Sequence, residues 1–245
     1  LADLMEAKSL NGQLPKASLP DLGRLCSALD LEVPAAVEGL QAWVEGFSSM
    51  PPATLPQDLT ATLRDYQGEA VNWLSTLRHE GFGALLADDM GLGKTLQALT
   101  VVRGRTLVVA PTSVLHNWEN EARRFRPSLD VARFHGPHRQ LDSSADITVT
   151  TYAILRIDQT LLQEVEWDMV VLDEAQSIKN PGSQVAQAAF GLRAKFRLAL
   201  TGTPVENRLE ELWSQFRFLN PGLLGTMSGF QTRYSKPIER GDVRV

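Results

Sequence analysis

Hydrophobic residues change their spacing along the chain. In residues 1–50 they recur at helical intervals: Leu22, Leu25 and Leu29 fall at i, i+3, i+7, as do Val37, Leu40 and Val44. Pro34 suits the first position of the second of these helices, where a missing N–H costs nothing. The stretch 48–58 carries Pro51, Pro52 and Pro56 and predicts a linker or an extended strap. Beyond it, Tyr66, Ala70, Trp73 and Leu77 make one amphipathic helical stripe. Short, mainly apolar runs then appear at 84–87, 106–110, 131–134, 147–150, 169–172 and 197–200. Helix-like stretches near 94–103, 113–125, 151–163 and 181–191 separate them. Strands that are mainly apolar, without strict alternation, and that alternate with helices predict a parallel sheet covered on both faces. The reading is therefore an α/β body over 60–245, preceded by a helical extension (1–50) and a proline-rich linker (51–59). Ligands of such a sheet sit at the carboxyl ends of its strands.

Composition narrows the classes. The chain has 245 residues, of which 43% are hydrophobic and 22% charged, with a formal charge of −5. No apolar run approaches the roughly 20 residues of a membrane helix, so no membrane partner is expected. The single cysteine, Cys26, excludes an internal disulfide framework and a cysteine zinc site, and its apolar helical context makes it a small core residue. No basic-then-apolar leader is visible, and an intracellular location is expected, cytoplasmic or nucleoid in a bacterium and nuclear in a eukaryote. Net acidity argues against a general polycation but leaves room for a local basic groove.

Three strand-end segments carry candidate chemistry. After the run 84–87 comes Asp88-Asp89-Met90-Gly91-Leu92-Gly93-Lys94-Thr95 and then a helix. A phosphate-binding loop needs inward N–H groups, glycines where side chains would block approach, and a helix N-terminus behind it. Gly91 and Gly93 meet that need; Lys94 would reach the β- and γ-phosphates, and the Thr95 hydroxyl would serve Mg²⁺. The strict pattern has glycine six residues before the lysine, where this chain has Asp88. After 169–172 stand Asp173 and Glu174: the first suits Mg²⁺, the second the polarisation of an attacking water, although a solvated turn or helix cap would use the same pair. Thr201-Gly202-Thr203-Pro204 follows the last apolar run, as a ligand-sensing loop or a plain turn. His135 and His138 make no metal site, because Gly136-Pro137 breaks any helix between them.

Taken together and in order, these blocks resemble the first RecA-like lobe of the Swi/Snf-type ATPases, helicase-related motors of superfamily two. The likeness rests on Leu63-Arg64-x-Tyr66-Gln67, the loop 88–95, Ala110-Pro111-Thr112-Ser113 with Asn117-Trp118-x-x-Glu121, and Thr150-Thr151-Tyr152. It continues in Asp173-Glu174-Ala175-Gln176-x-Ile178-Lys179-Asn180, Thr201-Gly202-Thr203-Pro204-x-Glu206-Asn207, Leu212-Trp213, and Phe218-Leu219-Asn220-Pro221. The resemblance implies a RecA-like P-loop domain that binds ATP and Mg²⁺ and belongs to a translocase on double-stranded DNA acting on DNA-bound protein complexes. It implies Arg64 and Gln67 as adenine-sensing residues and 88–95 as the triphosphate site. Lys94, Asp173, Glu174 and Gln176 become catalytic, with Thr95 and Asp173 serving the metal. Thr201, Gly202 and Thr203 become the coupling loop, and Thr112, Ser113, His135, Gly136 and Thr151 the DNA-backbone contacts. Gln176 stands where most Swi/Snf sequences have histidine; it keeps a donor and an acceptor but cannot titrate. The family's second lobe, with its charge-stabilising arginines, has no counterpart in the sequence, so this fragment alone is expected to be nearly inactive. Two other readings stay open: a catalytically inactive RecA-like protein-interaction module, and an ATPase directed to RNA.

Overall fold

A computed structural model describes residues 52–204 and 208–239, together with Cys26 and Met50; Cys26 is helical and buried. The expected helical extension otherwise lies outside the described residues, as do Glu206 and Asn207. The chain order is α1 (Asp65–Glu80), β1 (Ala84–Leu86), α2 (Lys94–Val101), β2 (Thr106–Ala110), α3 (Leu115–Phe125), β3 (Val131–Arg133) and β4 (Ile147–Thr151). It continues with α4 (Tyr152–Ile157), α5 (Gln159–Glu164), β5 (Glu166–Asp173), α6 (Gln184–Phe190), β6 (Arg193–Leu200) and α7 (Leu209–Leu219), followed by the short helices α8 (Met227–Phe230) and α9 (Lys236–Glu239).

The six strands form one sheet in the order β1-β6-β5-β2-β4-β3, every pairing parallel. This is the expected α/β class, a RecA-like sheet sandwiched by helices. Alternate residues of each strand feed two separate cores. On one face Val108, Val149, Met169, Val171 and Leu198 pack against Val71 and Leu74 of α1, Leu99 of α2 and Trp118 of α3. On the other, Leu107, Val109, Val170, Leu172 and Ala199 pack against Leu155 of α4, Leu162 of α5, Ala188 of α6 and Phe218 of α7.

Some elements differ from the sequence pattern. Strands β5 and β6 start earlier than their apolar runs, because Glu166 pairs with Arg193 at the sheet's exposed end, beyond the reach of a hydrophobicity signal. The expected helix 151–163 is two helices meeting at Asp158, the C-cap of one and N-cap of the next. In α1 the fully buried stripe is Gln67, Val71, Leu74 and Leu77, while Ala70 and Trp73 pack at its margin. Near the start of β1 the backbone is crowded: a Cβ on Gly83 would lie 2.5 Å from the Leu219 carbonyl oxygen. Asn220 fixes that approach with a reciprocal amide pair, accepting from Gly83 N (2.8 Å) and donating to Gly83 O (3.0 Å).

Candidate nucleotide site and strand-end loops

The register brings the candidate residues together. Leu86 of β1 lies opposite Leu200 of β6, which lies opposite Asp173 of β5; in the next strands Val109 faces Leu172 and Ala110 faces Thr151. Every candidate segment that follows a strand leaves the sheet at or just after this row, at its carboxyl edge, whereas Arg64 and Gln67 reach it from the start of α1. With strands about 4.8 Å apart, the origins of the phosphate loop and of the Asp173-Glu174 pair are separated by two strand steps, or about 10 Å. The Lys94 charge acts on the Asp173 carboxyl, so residues 79 positions apart in sequence face one electrostatic environment.

The loop is held open by glycine. Gly91 and Gly93 have φ of 85° and 81°, in the left-handed region that side chains disfavour. Gly93 caps α2, and a Cβ there would lie 2.6 Å from Gln67 Nε2. Lys94 folds back onto its own loop, Nζ donating to Asp88 O (2.6 Å) and Asp89 O (3.1 Å). One carbonyl organises the rest: Leu92 O accepts from Tyr66 Oη (3.2 Å), Gln67 Nε2 (3.1 Å) and Gln97 Nε2 (3.2 Å). Gln97, fully buried, also donates to Asp88 Oδ2 (3.3 Å), which gives Asp88 a use that glycine lacks. Gln67 Oε1 accepts from Arg64 N (3.0 Å), so both ends of the Gln67 amide are bonded within the protein. Beside these residues opens a cleft of about 410 Å³, lined by Thr60, Thr62, Arg64, Gln67, Gly91 and Phe125 among others.

The acidic pair is positioned from two sides. Asp173 Oδ2 accepts from Trp118 Nε1 (2.8 Å), and Oδ1 accepts from Glu174 N (3.0 Å). Burial pushes the Asp173 carboxyl above the usual carboxylate range; the Trp118 bond opposes that push and the Glu174 charge adds to it. Tyr152 Oη donates to Asp173 O (2.8 Å), closing the turn from the α4 side. Glu174 has φ 53°, the one positive φ outside glycine among the described residues. Such a conformation costs about 1–3 kcal/mol and is maintained by the bonds around it.

A hydrogen-bond relay runs from this pair to the threonine loop. Gln176 Nε2 donates to Glu174 Oε2 (2.8 Å), Thr201 Oγ1 donates to Gln176 Oε1 (2.9 Å), and Thr203 N donates to Thr201 Oγ1 (3.1 Å). Thr201 N in turn donates to Leu86 O (3.1 Å), anchoring the relay beside the 88–95 loop. A Cβ on Gly202 would lie 3.4 Å from Met90 Cγ, so the tips of the two loops face each other.

The remaining candidates occupy the other half of the carboxyl edge. Thr112 and Ser113 are exposed on a 3-10 turn after β2, and His135 and Gly136 follow β3, with His135 exposed. Thr151 differs: it is 3% exposed and its hydroxyl accepts from Ile154 N (3.2 Å) as the N-cap of α4. Sequence reasoning did not single out Gln97, Trp118, Tyr152, Arg124 or Phe125. Trp118 and Tyr152 sit inside blocks shared with the Swi/Snf-type ATPases, and Gln97 lies three residues after Lys94 on the same helix face, so the sequence held a signal for all three. Nothing local marks Arg124 and Phe125, which meet Thr60 across 64 and 65 positions of chain.

The donor set is oxygen-rich. Asp173 and the Thr95 hydroxyl suit Mg²⁺, which takes one or two protein oxygens and fills its octahedron with water and phosphate oxygens. Among the described residues no group of three or more His, Cys, Asp or Glu could hold a metal without such help.

Comparison with known proteins identifies the family. Residues 66–244 match the SNF2-related domain. The chain is 43% identical over 208 residues to the putative ATP-dependent helicase/translocase YwqA of Bacillus subtilis, covering 78% of this chain and 23% of that protein. It is 40% identical over 217 residues to the TATA-binding protein-associated factor MOT1 of Saccharomyces cerevisiae, covering 78% of this chain and 12% of that protein. The chain thus spans less than a quarter of the length of these curated relatives. The SWI2/SNF2 ATPase core of Sulfolobus solfataricus, solved in complex with dsDNA, superposes with a TM-score of 0.72 at 46% identity, over 76% of this chain and 42% of that one. On the match to its own residues and on these relatives, the chain belongs to the SNF2-related family.

Proposed function

We propose that this chain is the ATP-binding lobe of a DNA-dependent ATPase that translocates on duplex DNA and remodels protein–DNA complexes. The observation that carries the reading is the convergence of the 88–95 loop, the Asp173-Glu174 pair and the Thr201 loop on one row of the sheet.

On this reading, Lys94 exchanges its bonds to the Asp88 and Asp89 carbonyls for β- and γ-phosphate oxygens, while Gly91 and Gly93 leave the loop's N–H groups accessible. Gln67 exchanges Arg64 N for the N6 donor of adenine at its Oε1, and Leu92 O for the N7 acceptor at its Nε2. Thr95 and Asp173 hold Mg²⁺, which when bound neutralises charge on the phosphate oxygens. Glu174 takes the proton of the attacking water, and its bond to Gln176 sets the direction in which its carboxylate faces. Gln176 and Thr201 pass a change at Glu174 to the loop beside Met90. Thr112, Ser113, His135 and Gly136 grip the DNA backbone, whereas the Thr151 hydroxyl serves as a helix cap.

MOT1 is by its name associated with the TATA-binding protein, which favours a DNA-bound protein as the remodelled object. Fast turnover requires a second lobe bearing arginines at the transferring phosphoryl group, a contribution of about 10³–10⁵ in rate. Titration of this chain with a fluorescent ATP analogue and Mg²⁺ is expected to saturate, and Lys94→Ala to weaken binding at least about tenfold. In a protein carrying both lobes, the same substitution is expected to abolish DNA-stimulated hydrolysis. Unchanged stimulated turnover in that variant refutes the assignment.

A further inference from the structure

Residues 52–60 lie along the lobe as a strap held mainly by polar clamps. Ala53 N donates to Asn72 Oδ1 (2.7 Å) on α1, and Arg103 Nη2 donates to Thr54 O (3.0 Å). The strongest clamp is Asp58, whose two oxygens accept from Arg126 Nε (2.8 Å) and Ser128 Oγ (2.6 Å). Arg126 is 5% exposed, and its Nη1 donates to Leu99 O (2.6 Å) in the last turn of α2. Two residues on, Thr60 closes the C-terminus of α3: its N donates to Phe125 O (3.0 Å) and its Oγ1 to Arg124 O (2.5 Å). Carbonyls in a last helical turn have no partner within the helix, so Thr60 supplies bonds that α3 cannot make itself. The strap then becomes cleft: Thr60, Ala61 and Thr62 line its wall together with Arg64, Gln67 and Gly91.

Resting on the adenine-nucleotide reading above, we infer that Asp58 and Arg126 are positioning residues for base discrimination, fixing the 60–62 part of the cleft wall that it shares with Gln67. A charge pair with one partner nearly buried resists displacement, since an unpaired Arg126 would leave a cation out of water. The Asp58 carboxyl supports the picture: burial works against its ionisation, yet the Ser128 and Arg126 bonds hold it below the usual range. The clamp reaches the wall that faces the base and makes no bond to Lys94 or to the phosphate loop. Its loss therefore falls on recognition of the base and leaves recognition of the triphosphate in place.

The test measures, on the 245-residue chain, the affinities of ATP, GTP and inorganic tripolyphosphate, all with Mg²⁺. Asp58→Ala is expected to weaken ATP by about tenfold, with GTP and tripolyphosphate unchanged, so that the ATP preference narrows by the same factor. Asp58→Asn, which keeps one acceptor for Arg126 and can donate its amide to the Ser128 hydroxyl, recovers most of the preference. Thr60→Ala narrows it without touching the buried cation, so a folding defect in Asp58→Ala does not hide the effect. Lys195→Ala, which breaks a surface ion pair with Asp168 away from the cleft, leaves all three affinities unchanged. Equal loss for all three ligands in the Asp58 and Thr60 variants, or no loss in any, overturns the inference. If the unaltered chain binds tripolyphosphate but shows no preference for ATP over GTP, the adenine reading itself fails, and the role of the clamp with it.

Discussion

The relay through Gln176 is open to quantitative test by Gln176→Met, a swap that keeps length and removes both polar ends. Two losses are expected. The Gln176 Nε2 bond to the Glu174 carboxylate disappears, and such charge-assisted bonds are worth about 1.5–3 kcal/mol. Thr201, 0% exposed, is left with a hydroxyl donor facing a methyl group, and an unsatisfied buried donor costs about 1–3 kcal/mol. The expected destabilisation is about 2.5–6 kcal/mol, read as a shift in urea midpoint at constant slope. Thr201→Val gives the control: on its own it strands Gln176 Oε1 and Thr203 N, but in the Gln176→Met background there is no hydroxyl left to strand. The double variant should therefore be more stable than the sum of the singles by about 1 kcal/mol, the usual coupling of residues in direct contact. Additivity within about 0.3 kcal/mol would show that the two side chains do not act on each other, and the coupling role assigned to this bond would fall.

Other expectations follow from the same contacts. Gly93→Ala forces a side chain into φ 81° and onto Gln67 Nε2; fluorescent-nucleotide titration should show affinity reduced at least about tenfold, whereas tolerance would mean that the loop does not use this conformation. Trp118→Phe removes the donor to Asp173 Oδ2 and should raise the Mg²⁺ concentration needed for half-maximal nucleotide binding severalfold, with binding in EDTA unaffected; equal losses with and without Mg²⁺ would assign Trp118 to packing alone. The two Arg133 bonds hold the Glu119 carboxyl below its ordinary 4.5. A depressed folded value gives stability present above pH 4.5 and lost as pH falls through the lower value. Urea midpoints should therefore decline below that pH, less steeply in Glu119→Gln, while Asp173 and Glu121, raised by burial, act in the opposite sense.

Much of the lobe was legible because its strands are buried on both faces, so runs such as 106–110 and 147–150 declare themselves by composition. The limits of that signal are physical. The outer ends of β5 and β6 carry Glu166 and Arg193, whose pairing is fixed by backbone register and not by hydrophobicity. Gly91, Gly93, Lys94 and Asp173 were readable because their chemistry depends on local backbone shape and on strand ends. Trp118 acts through one hydrogen bond across the fold and Gln97 through two to the preceding loop, and an indole or amide looks like any other core or helix residue until its partner is known. Thr151 shows the converse: a hydroxyl suited to phosphate by position is used by the helix that starts beside it. The proline-rich stretch was compatible with linker or strap, and only the distant partners Asn72, Arg103 and Arg126 decide in favour of the strap.

The most direct measurement is a structure of this chain with a non-hydrolysable ATP analogue and Mg²⁺. The account requires Lys94 Nζ to have left the Asp88 and Asp89 carbonyls for phosphate oxygens, the metal to lie between Thr95 and Asp173, and the base to face Gln67 across from Thr60. A nucleotide bound elsewhere, or a Lys94 still bonded to its own loop beside an occupied site, would contradict it.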